Sequence, residues 1–150
     1  MDQKTLFLTG LATASAIGVA YYLWFKKQEP NELRVIYDRI GGAPSIDALV
    51  KTFYADYVLK DPVINHFFAK VNMEKQIKMQ TAFLNHVFGQ KEYNGKGMKA
   101  AHKHLKLTDE HFDHVIKALY NAIKSLGVGE SDAQAIIGVA ETTRNDVLGR

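Results

Sequence analysis

The sequence contains no cysteine. That absence excludes disulfides, thiolate metal sites, cysteine-held iron–sulfur clusters and covalent cofactor attachment through C-x-x-C-H. Proline is scarce, with three in 150 residues, so few positions forbid a helix. Alternating polar and apolar runs are also rare, which argues against half-buried strands and for an all-α domain. A charge excess is lacking too. The net charge is +3 with six histidines counted neutral, and lysines and acids are interspersed. This is the pattern of a solvated surface and gives no nucleic-acid footprint.

One long charge-free run is present. From Thr5 to Phe25 the chain reads TLFLTGLATASAIGVAYYLWF. About 20 helical residues cross a bilayer core of about 30 Å. Tyr21, Tyr22, Trp24 and Phe25 gather at one end, with Lys26 and Lys27 beyond, the order of an aromatic belt followed by snorkelling cations. A cleaved signal peptide would need a more basic start, and the apolar run continues well past the cleavage site that Ala12, Ala14 and Ala16 could offer; a core helix would not be apolar on every side or this long in a small domain. The run is therefore read as one N-terminal transmembrane helix. Residues 1–30 form the anchor and a short linker (Gln28 to Asn31, with Pro30), and residues 31–150 form the soluble domain. The positive-inside rule places that domain on the cytoplasmic side.

Along the domain, helical periodicity dominates. A short stretch from Glu32 to Ile40 stops at Gly41-Gly42. Pro44 suits a first turn, followed by Ile46, Leu49, Val50, Phe53, Tyr54 and Tyr57 at helical spacing. Asp61-Pro62 starts a further turn. Asn72 caps a helix with an inward stripe of Met73, Gln76, Ile77, Gln80, Phe83, Leu84 and Val87, ended by Gly89. A Gly/Lys/Asn-rich loop, 90–97, leads to a short helix from Met98 to Leu105. Thr108 caps the next helix, with acids Asp109 and Glu110 in its first turn and Phe112, Val115, Ile116, Leu119, Ile123 and Leu126 inward. Gly127 closes it. Ser131 and Gln134 form a capping-box pattern for one last helix, burying Ile136, Ile137, Ala140, Val147 and Leu148.

Gln76 and Gln80 are the anomaly. They lie four apart on an otherwise apolar face, and a buried unpaired amide costs roughly 1–3 kcal/mol. Either they bond other side chains or sit at a helix edge, or they meet a small polar ligand inside an apolar cavity. Tyr54, also inward, brings a hydroxyl with the same need. The histidines are His66, His86, His102, His104, His111 and His114. His111 and His114 read as a surface pair, and no local spacing makes a three-ligand zinc site. Spacing alone does not choose a ligand among the six.

The stretch from Tyr37 to Leu148 resembles the group I truncated haemoglobins. The matching segments are YDRIGG (37–42), FY (53–54), HFFAKVNMEKQ (66–76), QTAFLNHVFG (80–89), YNGKGMKAAHKHL (93–105), EHFDHVIKAL (110–119) and RNDVL (144–148). The resemblance implies a truncated globin fold, a 2-on-2 helical sandwich around haem b. It implies His102 as the proximal iron ligand, Tyr54, Gln76 and Gln80 on the distal side, and Phe68 packed on the haem. Phe83, Leu84, Phe88, Met98, Leu107, Phe112 and Val115 would line the pocket. Dioxygen, nitric oxide and carbon monoxide are the implied iron ligands. The implied activity is oxidation of nitric oxide to nitrate by bound dioxygen. No flavin or nicotinamide-binding pattern appears, so a separate reductase, membrane-associated if the anchor holds, would supply electrons. Dioxygen storage, delivery or sensing at a membrane is the alternative. Three departures stand out. Gln90 replaces a usual second glycine. Met79 stands where some relatives carry an iron-binding histidine, and is read as packing at the haem edge. No histidine follows His114, so the covalent haem link of some relatives is absent.

Overall fold

A computed structural model of the chain describes residues 30–89, Gly97 and 102–150. The charge-free run at 5–25, the loop after Gly89 and Met98 lie outside the described residues. Among the described residues there is no strand, and no helix is long and apolar enough to cross a membrane.

Helix α1 spans Pro30–Ile40. It begins at the proline itself, inside the predicted linker, since a residue without an N–H suits the first turn. Gly41 and Gly42 follow with φ of 117° and 70°, a backbone that side chains resist. Helix α2, Ala43–Thr52, then starts with Pro44 in its first turn and buries Ile46, Leu49 and Val50. The periodicity predicted that this helix would run on to Tyr57. Instead it widens into a π turn, Phe53–Val58, in which Leu59 N–H donates to Tyr54 O at 3.0 Å.

A 3-10 turn, Asn65–Phe68, carries two adjacent phenylalanines. Helix α3, Met73–Gly89, follows. As predicted, Asn72 caps it, its Oδ1 accepting from Lys75 N–H at 3.2 Å. Gly89 does more than end a helix: a Cβ there would lie 2.9 Å from the Tyr37 ring. Tyr37 donates to Asn85 Oδ1 at 2.9 Å, and Arg34 donates to Gly89 O at 3.1 Å, so α1 is pinned to α3.

Helix α4 spans Asp109–Ser125 and is capped reciprocally: the Thr108 side chain accepts from His111 N–H, and the His111 side chain accepts from Thr108 N–H. Gly127 follows it at φ 81°. Leu126, predicted inward, is exposed because it is already the C-cap. Helix α5 covers Glu130–Glu141, with Gly129 at its N-cap and no side-chain cap. The predicted Ser131–Gln134 box is therefore absent. Gln134 donates to Glu130 at 2.9 Å instead, and Tyr120 and Lys124 also hold Glu130, which fixes the helix start two residues earlier. The single last helix of the prediction is in fact two. Thr142 and Thr143 donate their hydroxyls back to Val139 O and Ala140 O at 2.6 and 2.7 Å. Such bonds compete with helix continuation, and α6, Arg144–Leu148, starts afresh.

In the packing, α3 lies on α1 and α2, while α4 lies on the π turn, α5, α6 and α2. The buried core between them includes Leu33, Ile46, Val50, Val58, Ile64 and Ile123.

Candidate functional site

Tyr54 lies in the π turn and is 3% exposed. The extra residue in that turn sets the direction of its ring relative to the chain that follows. Phe53 packs edge-on at 4.9 Å and Phe68 at 5.5 Å between ring centroids. From α3, Gln76 Nε2 donates to Tyr54 Oη at 3.0 Å. That bond uses the phenol oxygen as acceptor and leaves its proton available to another partner. Burial pushes the Tyr54 phenol up, and the Gln76 hydrogen bond offsets this only in part. The phenol is therefore neutral, a donor, at ordinary pH.

Gln76 thus follows the first of the two sequence readings, since its amide bonds another side chain, that of Tyr54. The side chain of Gln80, half-buried one turn on, makes no hydrogen bond to another described residue. Met79 beside it is 48% exposed.

His102 closes a helical turn, its carbonyl accepting from Leu105 N–H at 3.0 Å. It borders a cavity of about 500 Å³ together with Lys103, Lys106, Leu107, Val147, Leu148 and Gly149. The volume falls within the range of small-molecule and cofactor sites. Lys106 adopts φ 51°, the one non-glycine with positive φ among the described residues. Val147 and Leu148 line this cavity, whereas the sequence marked them only as buried. Their place in the RNDVL segment was the available signal.

The remaining predicted pocket residues are distributed as follows. Phe68, Phe83, Leu84 and Val115 are partly buried against the core, and Phe88 is fully inside it. Phe112 is buried beneath the Arg144 guanidinium, 4.6 Å from its ring centre. Met98 lies outside the described residues. His111 and His114 are partly exposed, near the surface as expected, but each has a partner. His111 serves as a helix cap, and His114 Nδ1 meets Asp61 Oδ2 at 2.6 Å.

The donor set fits haem better than a bare ion. Among the described residues no group of three His, Cys, Asp or Glu side chains could hold a metal, and a free zinc-like ion needs three or four protein ligands. Porphyrin iron needs only one imidazole; the His102 imidazole stands beside apolar Leu107, Val147 and Leu148, in a cavity whose lining includes none of Tyr54, Gln76 and Gln80.

Comparison with known proteins points the same way. The family model described as bacterial-like globin matches residues 35–148. A group 1 truncated hemoglobin of Tetrahymena pyriformis is 39% identical over 121 residues, covering 80% of this chain and 99% of that protein. The crystal structure of the Tetrahymena pyriformis truncated hemoglobin in its Fe(III) form superposes with a TM-score of 0.72 at 40% identity, covering 77% of this chain and 98% of that one. The 2/2 hemoglobin of Synechococcus sp. PCC 7002, solved with covalently attached heme, gives a TM-score of 0.72 at 34% identity, with the chains covered to 77% and 98%.

Proposed function

The chain belongs to the group 1 truncated haemoglobins, whose cofactor is haem and whose common property is dioxygen binding, and from that premise we propose that it oxidises nitric oxide to nitrate. When bound, haem supplies a redox-active iron able to take up a diatomic gas. His102 is the residue to hold that iron, through one imidazole nitrogen. Tyr54 would donate a hydrogen bond from its phenol to a gas bound there and keep its proton, because Gln76 already occupies the phenol oxygen as acceptor. Gln80 offers a second amide from the same face of α3. A hydrogen bond to a charged partner contributes roughly 1.5–3 kcal/mol. Tyr54 and Gln80 would give the site two such donors, which would favour a gas that takes on partial negative charge when bound and slow its release.

The overall change consumes nitric oxide, dioxygen and one electron and yields nitrate. The electron comes from a separate reductase. The Gln76–Tyr54 bond at a buried phenol is the observation that carries this reading. The test is stopped-flow mixing of the dioxygen-loaded ferrous protein with nitric oxide. Rapid formation of ferric haem with stoichiometric nitrate is expected. Slow or absent conversion would leave storage, delivery or sensing as the function.

The charge-free run from Thr5 to Phe25 supports a second part of the proposal: the globin domain is tethered to a membrane, on its cytoplasmic side. The full chain is expected to float with liposomes, and a chain starting at Pro30 to stay behind. Equal behaviour of the two would remove the tether.

A further inference from the structure

Two histidines of α4 grip the segment that carries Phe68. At the segment's start, Asp61 Oδ2 meets His114 Nδ1 at 2.6 Å, and Asp61 Oδ1 accepts from Val63 N–H at 2.9 Å. The Asp61 carbonyl accepts from Asn65 N–H at 2.8 Å, and Ile64 is buried in the core. At the segment's end, the Phe67 ring packs edge-on against His111 at 4.9 Å, and His66 lies 4.1 Å from Phe67 and 6.2 Å from His111. The His111 ring is itself fixed, because its Nδ1 accepts from Thr108 N–H at 3.0 Å. Neighbours in a 3-10 turn diverge by about 120°. Phe67 therefore faces α4 while Phe68 turns to Tyr54.

We propose that Asp61, His114 and His111 are positioning residues that press Phe68 against Tyr54 and so aim the Tyr54 hydroxyl at the bound gas. The proposal rests on the reading of Tyr54 as the donor to that gas. Of the two rings flanking Tyr54, Phe53 is its chain neighbour and moves with it. Phe68 comes from another element and is held there through the grip of α4. If that grip loosens, Phe68 withdraws and the phenol gains room to turn. The Asp61 carboxyl is consistent with a tight contact: burial pushes it up, yet the His114 and Val63 hydrogen bonds and the charges of His114 and Lys117 bring it below the usual range.

The test uses the haem-loaded full chain with carbon monoxide as probe. The infrared C–O stretch reports the polar group beside the gas, which a purely structural role would leave unmoved. Tyr54→Phe defines the band without the hydroxyl. Asp61→Asn, which keeps an acceptor for Val63 N–H, and His114→Ala are each expected to shift or split the band toward that position. Carbon monoxide release should rise several-fold, and the double variant should go no further than either single one. Phe68→Leu should reproduce the effect. Wild-type bands and release rates in Asp61→Asn and in any folded His114→Ala, with Tyr54→Phe shifted, overturn the clamp alone. An unmoved band in Tyr54→Phe overturns the donor reading and the clamp with it.

Discussion

The Tyr54 phenol and the Gln76 amide sit 22 residues apart in sequence and 3.0 Å apart in space. Tyr54→Phe deletes the donor while keeping the ring between Phe53 and Phe68. Dioxygen release should accelerate about ten- to hundredfold, the equivalent of a hydrogen bond of roughly 1.5–3 kcal/mol, with stability lowered by about 1 kcal/mol because the part-buried Gln76 amide loses its acceptor. Flash photolysis or stopped-flow displacement measures it. Because burial raises the phenol's proton affinity, release should show no step from Tyr54 ionisation between about pH 6 and 9, below its ordinary value of about 10. His102→Ala should lose most of its haem or its native visible spectrum, and retention of the wild-type spectrum would refute the ligand assignment. At Gly89, alanine would press its Cβ into the Tyr37 ring. Overpacking of this kind costs about 1–3 kcal/mol, readable by urea denaturation.

Local chemistry decides what a sequence shows about its elements. The Asn72 and Thr108 caps were legible because their partners lie three residues away. The same held for Gly41, Gly42 and Gly127, each needed at positive φ. The break at Thr142-Thr143 was missed because the apolar stripe continues through it to Val147. The π turn was missed because Phe53, Tyr54 and Tyr57 satisfy an ordinary helical period. The tertiary partners of His111 and His114 were missed because Phe67 and Asp61 are distant in sequence. Tyr54, Gln76 and Gln80 stood out only as polar groups on apolar faces, and family resemblance was needed to give them a ligand. One consequence belongs to the α4 grip. A carboxyl lowered in the folded state adds stability above its ordinary value of about 4, and that stability is lost as pH falls through the lower folded value. The stability gap between wild type and Asp61→Asn should therefore be full at pH 6 and close below about pH 4 in acid titrations.

At the scale of the molecule, α6 is tied down by charge as much as by apolar contact. Arg144 bonds Asp109, Asp113 and Glu141 while lying over Phe112, and Arg150 reaches back to Asp109. Asp109 is held below the usual carboxylate range by its bonds from Arg150 and Arg144. Lysine would carry the charge but not the planar fork that serves several carboxylates. Arg144→Lys is expected to lower Tm measurably, and Arg144→Met to lower it further. The same α6 supplies Val147 and Leu148 to the cavity beside His102, so with His102 as the proposed iron ligand, haem and the C-terminal helix should support each other. Haem bound at about a thousandfold over its Kd adds about 4 kcal/mol to the folded state. Calorimetry should therefore show the haem-free chain melting well below the loaded one, with a smaller difference in Arg144→Met.

The π turn carries a further consequence, for insertions and deletions. A π turn is an α-helix that has absorbed one extra residue. Removing Ala55 or Asp56, both exposed, would let the backbone relax to an ordinary helix. The flanking segments would keep their facing, because the π turn had already absorbed the extra residue, and only the residues inside the turn would be reset. Tyr54 is one of those residues, so its ring would lose its present aim toward Gln76 and Phe68, although no residue of the site had been changed. The reading frame of this turn is thus as much a part of the site as its side chains.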